Sequence, residues 1–224
     1  MNLSLRAALA SIVGLTATGA LLFWPAGTFD YWQGWALIAV MLVLTVPYTV
    51  YLGRKQPDVL RRRLRAGPTA ESRGVQRLAV FGLQASTLAV FAVGGLDRRH
   101  GWTHVPTWLC VVGLGLAGVG LGVAIVVVLQ NSWAAATVEI QAGQQVVATG
   151  LYTVVRHPMY SGAVAMMLGL PVGLGSYWAY LPAAGALLAL IVRIGDEERM
   201  LVRDLPGYPE YRSTVRYRLV PYLW

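Results

Sequence analysis

Charge is scarce in this sequence. Only 12% of its 224 residues are charged against 56% hydrophobic, where a soluble domain carries about 25% charged residues. Water cannot be the main solvent of such a chain, and a mean hydropathy of +0.56 places it in a lipid bilayer. Cysteine is almost absent as well. The single Cys110 lies within an apolar run, which excludes an intramolecular disulfide and any cysteine metal cluster. Lysine is nearly missing beside abundant Arg, Ala and Gly, a composition that points to a high-GC bacterial genome. No internal repeat or low-complexity linker interrupts the chain, so one domain, residues 1–224, is expected.

What the chain does contain is a series of long apolar blocks separated by short charged segments. A hydrocarbon core about 30 Å thick takes about 20 helical residues to cross, and backbone satisfaction in lipid points to an α-helical bundle. The first block runs from about Ala7 to Trp24. A cleavable signal peptide is the competing reading, but the block continues through Leu21, Leu22 and Phe23 without a small-residue cleavage site. Further spans are expected at about 34–52, with Trp32 and Trp35 as interfacial anchors and a kink at Pro47, at 78–96, and at 106–129. The last of these holds Gly113, Gly115 and Gly118 in G-x-G-x-x-G spacing. A dinucleotide fingerprint needs its glycines where a strand turns into a helix. Embedded in an apolar run they read as a decoy, and Gly118 with Gly122 suits close helix packing instead. Two shorter apolar stretches, 161–174 and 178–194, read as a helical hairpin with arms a little short for full spans. The fold expected is an all-α polytopic transmembrane bundle of about six membrane segments, the last two a helical hairpin, with a cytoplasmic C-terminal tail. Its first four spans occupy 1–130 and its chemistry 131–224.

The net charge of +8 follows the same layout. Eight basic residues (Arg54, Lys55, Arg61, Arg62, Arg63, Arg65, Arg73 and Arg77) share the loop between the second and third spans, which the positive-inside rule places in the cytoplasm. Six crossings then put both termini inside and leave only Arg98 and Arg99 outside among the basic residues. The bilayer is therefore the expected partner and the cytoplasmic membrane the expected location. No separate basic domain exists to bind nucleic acid, so none is expected as a partner.

Between Gln130 and Tyr160 the apolar pattern gives way to polar residues and glycines. The densest cluster is Tyr152, Arg156, His157 and Tyr160, with Pro158 suited to the first turn of the helix that follows. A lone histidine here would be an interfacial residue bonded to a carbonyl. Four such groups within nine residues beside lipid are too polar for packing alone, because unpaired polar groups there are costly. Arg156 and His157 would sit at the helix entrance, where the positive dipole end favours a ligand carboxylate. A second cluster, Arg193, Asp196, Glu197 and Glu198, closes the hairpin's second arm. Arg193 and Glu197 are four apart and share a face of a continuing helix. A snorkelling arginine beside a solvated acidic group is the plain alternative. Because the hairpin returns to its starting side, however, this face can meet the His157 cluster.

At these residues the chain resembles the isoprenylcysteine carboxyl methyltransferases and their bacterial and phospholipid-methylating relatives. The resemblance covers about the last 95 residues and rests on Gly150 with Tyr152, Arg156 to Tyr160, Arg193, Glu197 with Glu198, and Tyr208 with Tyr211. It implies an enzyme that uses S-adenosylmethionine and releases S-adenosylhomocysteine. The cofactor would be held by Gln144, Gln145, Val146 and Val147, by Tyr152, by His157, Pro158, Met159 and Tyr160, and by Glu197. Arg193 would face the substrate, a lipidic or small membrane-associated methyl acceptor. Family members often have His where this chain has Gln144, and Leu-Val where it has Val146 and Val147. Backbone contacts survive that change and an imidazole role does not. Glu139 is a weaker candidate, because alignment upstream of Gln144 needs a gap.

The chemistry fits the residues. Methyl transfer from a sulfonium is an in-line displacement, so positioning and electrostatics supply most of the catalysis. No triad and no metal are required. Glu197 can engage the cofactor's ammonium or ribose hydroxyls, and Arg193 can orient an acceptor but is no convincing base. An acceptor that must lose a proton would turn to Glu198 or water. Two other readings stand beside this one. A membrane reductase of the sterol-reductase type would bind NADPH in the same place, and a transporter would use Arg193 and Glu197 as a gate.

Overall fold

The computed structural model describes residues 3–64, 67–134, 137–141 and 143–224, and Arg65 of the basic loop lies outside the described residues. The described chain is helical, with no strand among the described residues. Its helices are α1 (Leu3–Ala26), α2 (Trp32–Lys55), α3 (Pro57–Arg63), α4 (Gly74–His100), α5 (Thr107–Gln130), α6 (Pro158–Gly173), α7 (Tyr180–Asp204) and α8 (Tyr208–Thr214). Short 3-10 turns occupy Pro68–Ala70 and Gly150–Thr153.

Four helices, α1, α2, α4 and α5, are long and apolar enough to cross a membrane. The six segments expected reduce to these four plus two arms of different kind. At 1.5 Å per residue the 16 residues of α6 span about 24 Å. α7 is longer than its apolar stretch, running ten residues past Ile194 through Asp196, Glu197 and Glu198 to Asp204. No glycine with positive φ or proline interrupts it there, and Arg199 pairs with Asp196 one turn back. The glycines 113, 115 and 118 lie in the middle of α5, so no strand-to-helix turn is present for a dinucleotide.

Although α6 and α7 are consecutive, α6 lies mainly along α5 and α7 mainly along α4. Glycine decides the first pairing. A Cβ on Gly113 would stand 2.5 Å from the Gly173 backbone nitrogen and 2.7 Å from the Gly169 oxygen, and one on Gly162 would meet the Gly120 oxygen. Gly113 and Gly120 are two turns apart on one face of α5, so the two backbones touch along a line of small residues. The expectation for Gly118 and Gly122 holds for the first only: a Cβ on Gly118 would stand 3.2 Å from Val40 Cγ1 of α2, whereas nothing lies within 4 Å of a Cβ on Gly122.

One end of the bundle is clasped by Asp97, which is 2% exposed at the last turn of α4. Its carboxylate accepts hydrogen bonds from Ser176 Oγ at 2.5 Å, Thr103 Oγ1 at 2.7 Å and the Thr103 backbone N–H at 2.9 Å. The α6–α7 turn is thereby tied to α4. The antiparallel run of the helices then delivers the start of α6, the end of α7 and the start of α4 together at the other end. A bulky β-branched residue should separate α5 from α6. We expect Gly120→Val to lower stability in detergent by at least about 1–3 kcal/mol, with Gly122→Val nearly silent, as read by thermal unfolding.

Candidate active site

The end opposite Asp97 contains a cavity whose wall draws on α6, α7, α8 and the segment between α5 and α6. Ahead of α6 in the chain stands Gly150, whose φ of +61° suits glycine and whose Cβ, if present, would lie 2.5 Å from Gln130 Oε1. The turn it starts presents Tyr152. Asn131 Nδ2 donates to the Tyr152 hydroxyl at 2.9 Å, and the Tyr211 hydroxyl donates to the Tyr152 carbonyl at 2.7 Å. Burial pushes the Tyr152, Tyr208 and Tyr211 hydroxyls up from their ordinary pKa, with acidic groups near Tyr152 and Tyr208 adding to it. All three stay protonated at neutral pH.

The two sequence clusters meet at Tyr160. Its hydroxyl donates to Glu197 Oε2 at 2.5 Å and accepts from Arg193 Nε at 2.9 Å. The geometry follows from α6 beginning at Pro158, which turns Tyr160 toward the face of α7 that carries Arg193 and Glu197. Arg193 is only 6% exposed. Its Nη1 also donates to Glu71 Oε1 at 2.7 Å and Gln76 Oε1 at 2.9 Å, both from the segment leading into α4. Sequence reasoning passed over Glu71 and Gln76. The one signal available was that Glu71 and Asp58 are the only acids in the otherwise basic loop 53–77.

Every expected cofactor position lines this cavity: Gln144, Gln145, Val146, Val147, Tyr152, His157, Pro158, Met159, Tyr160 and Glu197. Arg193 and Glu139 line it too. The Gln144 side chain is partly committed to its own loop, where its Oε1 accepts from the Gln141 N–H at 3.0 Å. Trp133, Val138, Met200, Leu201, Leu205 and Tyr208 complete much of the wall and were not anticipated. The Tyr208 hydroxyl is buried without a hydrogen-bond partner among the described residues, a polar atom left over on a cavity wall.

Glu198 and Arg156 are placed differently from expectation. Glu198 does not line the cavity. It accepts from Arg156 Nε at 2.7 Å, from Arg218 Nε at 2.8 Å and from His157 Nε2 at 3.3 Å. Burial alone would raise its pKa, but hydrogen bonds from His157, Arg156 and Arg218 hold it well below the usual carboxylate range. A carboxylate so held is a poor proton acceptor, which corrects its expected role as a general base. Arg156 likewise does not wait for a ligand carboxylate. Its Nη1 donates to the carbonyls of Val215 and Arg216 at 2.8 and 2.7 Å, and the Arg156 and His157 N–H groups donate to Tyr217 and Arg218. Together these bonds dock the C-terminal tail beside the cavity.

Comparison with known proteins follows this geometry closely. Residues 108–205 match the phospholipid methyltransferase family. The matched stretch runs from α5 through α7 and thus contains Tyr160, Arg193 and Glu197. It begins earlier than the resemblance read from the sequence and stops before Tyr208 and Tyr211. The chain is also similar to a protein of another description. Over 91 residues the chain is 32% identical to a Delta(14)-sterol reductase from Mus musculus, covering 39% of this chain and 22% of that protein. The chain therefore spans about a fifth of that relative's length.

The docked tail gives a test of the Glu198 cluster. Removing one partner of a buried ion pair costs about 3–5 kcal/mol, so Glu198→Gln should release the tail and speed tryptic cleavage after Arg218, which is half-buried while the tail is docked, at neutral pH. The depressed Glu198 pKa gives a stabilisation that is full above the unfolded carboxylate value of about 4.3. It should be lost only as pH falls further, toward the folded value, when tail docking is followed by hydrogen exchange.

Proposed function

We propose that the cavity binds S-adenosylmethionine and that the protein transfers its methyl group to a lipidic or small membrane-associated acceptor. The observation that carries this reading is the Tyr160 junction with Arg193 and Glu197, three residues that lie within the phospholipid methyltransferase match and line the cavity. The residues present suit the group. Glu197 offers an anionic oxygen for an ammonium or ribose hydroxyls, Tyr208 offers a hydroxyl without a partner among the described residues, and Trp133, Met200, Leu201 and Leu205 offer apolar surface to a purine. When bound, the cofactor supplies an electrophilic methyl carbon on a sulfonium centre.

The protein's part is positioning. The Tyr160 hydroxyl donates a hydrogen bond to Glu197 and so fixes that carboxylate, while Arg193, immobilised by Glu71, Gln76 and Tyr160, sets a fixed charge at the same wall. An in-line displacement gains most from such pre-set charges. The basic loop packs at this end, with Arg62 donating to the Ser132 carbonyl at 2.9 Å and Arg63 to that of Ala134 at 3.3 Å. By the positive-inside rule this favours a cytoplasmic cavity in a multi-pass protein of the cell membrane.

A second reading, a reductase that binds NADPH in the same cavity, is favoured by the partial similarity to the Delta(14)-sterol reductase. Calorimetry on the detergent-purified protein separates the two. We expect saturable binding of S-adenosylhomocysteine and none of NADPH. Glu197→Gln should weaken binding by about tenfold or more and Tyr208→Phe by about fivefold, the scale of one charged and one neutral hydrogen bond. Binding of NADPH with none of S-adenosylhomocysteine would reverse the assignment.

A further inference from the structure

The basic loop brings one acid into the interior. Glu71 is 2% exposed and lies between the 3-10 turn at Pro68–Ala70 and α4. It does not line the cavity, yet its two carboxylate oxygens reach two different parts of the cavity wall. Oε1 accepts from Arg193 Nη1 at 2.7 Å, and Oε2 accepts from the Val138 backbone N–H at 3.1 Å. Val138 is 6% exposed and belongs to the segment that continues to Gln144–Val147 on the cavity wall.

The neighbourhood leaves this carboxylate little freedom. Arg77 Nη2 donates to the Glu71 carbonyl at 3.2 Å. Gln76, fully buried, accepts from Arg193 Nη1 and donates from Nε2 to the Arg193 carbonyl at 3.1 Å and to Asp196 Oδ2 at 2.7 Å. Asp196 in turn pairs with Arg73. The start of α4 is thus fastened to one turn of α7, and Glu71 is the group that extends the fastening to the 137–141 stretch. A carboxylate is suited to this because it accepts on both oxygens, whereas an amide has one acceptor oxygen and one donor nitrogen.

We infer that Glu71 is a positioning residue that couples closure of the 137–141 stretch over the cavity to the setting of Arg193. The consequence for function rests on the methyltransferase reading, in which these two wall elements hold cofactor and acceptor respectively. When the stretch lifts away, Glu71 loses its second anchor and Arg193 its fixed counter-charge. The acceptor side is then assembled only when the cofactor side is closed.

The test uses the full-length protein in detergent and two readouts. In the absence of any ligand, Glu71→Gln should speed amide exchange in a peptide covering Thr137–Gln141 by about tenfold, since the charged Arg193 donor keeps the one amide oxygen and the NH2 group is left facing the Val138 N–H. Peptides from α5 and α1 should exchange as in the wild type, which separates local release from failure to fold. Glu71→Asp, which keeps both acceptor oxygens, should recover part of the protection. In the second readout, S-adenosylhomocysteine affinity is measured for Glu71→Gln, for Val138→Pro, which lacks the donated N–H, and for the double variant. Coupling through Glu71 predicts that the double variant loses no more affinity than the worse single one. Wild-type exchange of Thr137–Gln141 in Glu71→Gln overturns the inference, and so do losses that multiply in the double variant. If the wild type binds no S-adenosylhomocysteine, the functional reading fails while the exchange arm still decides the role of Glu71.

Discussion

An arginine drawn into the interior of a helical membrane bundle must find its counter-charges within the protein. Taking an ion out of water costs several kcal/mol, and the cost is recovered only through close pairing and hydrogen bonds. Arg193 is in this position at 6% exposure, and the elements around it are arranged by its needs. Glu71 and Gln76 come from the segment entering α4, and Tyr160 comes from the first turn of α6. These partners lie on two separate stretches of chain. Neutralising one guanidinium therefore brings the starts of α4 and α6 against the middle of α7, and the cavity lies beside it.

Two adjacent acids divide the work at this end. Successive residues of an α-helix point about 100° apart, so Glu197 and Glu198 of α7 face different neighbours. Glu197 meets Tyr160 on the cavity wall, while Glu198 is enclosed by Arg156, His157 and Arg218. The first arrangement leaves an anionic group facing the cavity. The second joins the loop before α6 to the C-terminal tail. A paired glutamate in the sequence thus serves two purposes that no reading of the pair as one acidic patch would separate.

Packing along the bundle is set by absence of side chain rather than by charge. Lipid tails are as apolar as leucine, so helices in a membrane associate through close fit. Gly113 and Gly120 on α5 face Gly162, Gly169 and Gly173 on α6, and the backbones meet directly. This contact holds the start of α6, and with it His157 and Tyr160, at a fixed depth. The Asp97 clasp at the far end fixes the α6–α7 turn. Between these two constraints α7 can rest on α4 and carry Arg193 to Glu71.

The sequence by itself determined a membrane-embedded helical chain, the approximate bounds of its four long spans, and the residues of α6 and α7 that gather at one end. Composition and unbroken apolar length carry that information locally, and helical spacing places Arg193 and Glu197 on one face without reference to the rest of the chain. The tertiary structure decided everything that depends on partners distant in sequence. Gly118 and Gly122 look alike as packing glycines, and only the positions of α2 and α6 show that Gly118 meets a helix, Gly122 does not, and Gly113 and Gly120 meet the α6 backbone. Glu198 and Arg156 have the chemistry of a base and an anion-binding group, and only the return of the tail satisfies them within the protein. Glu71 is 122 residues from Arg193, and a contact over that separation leaves no periodic mark in a sequence, because it is made by the fold and not by local geometry.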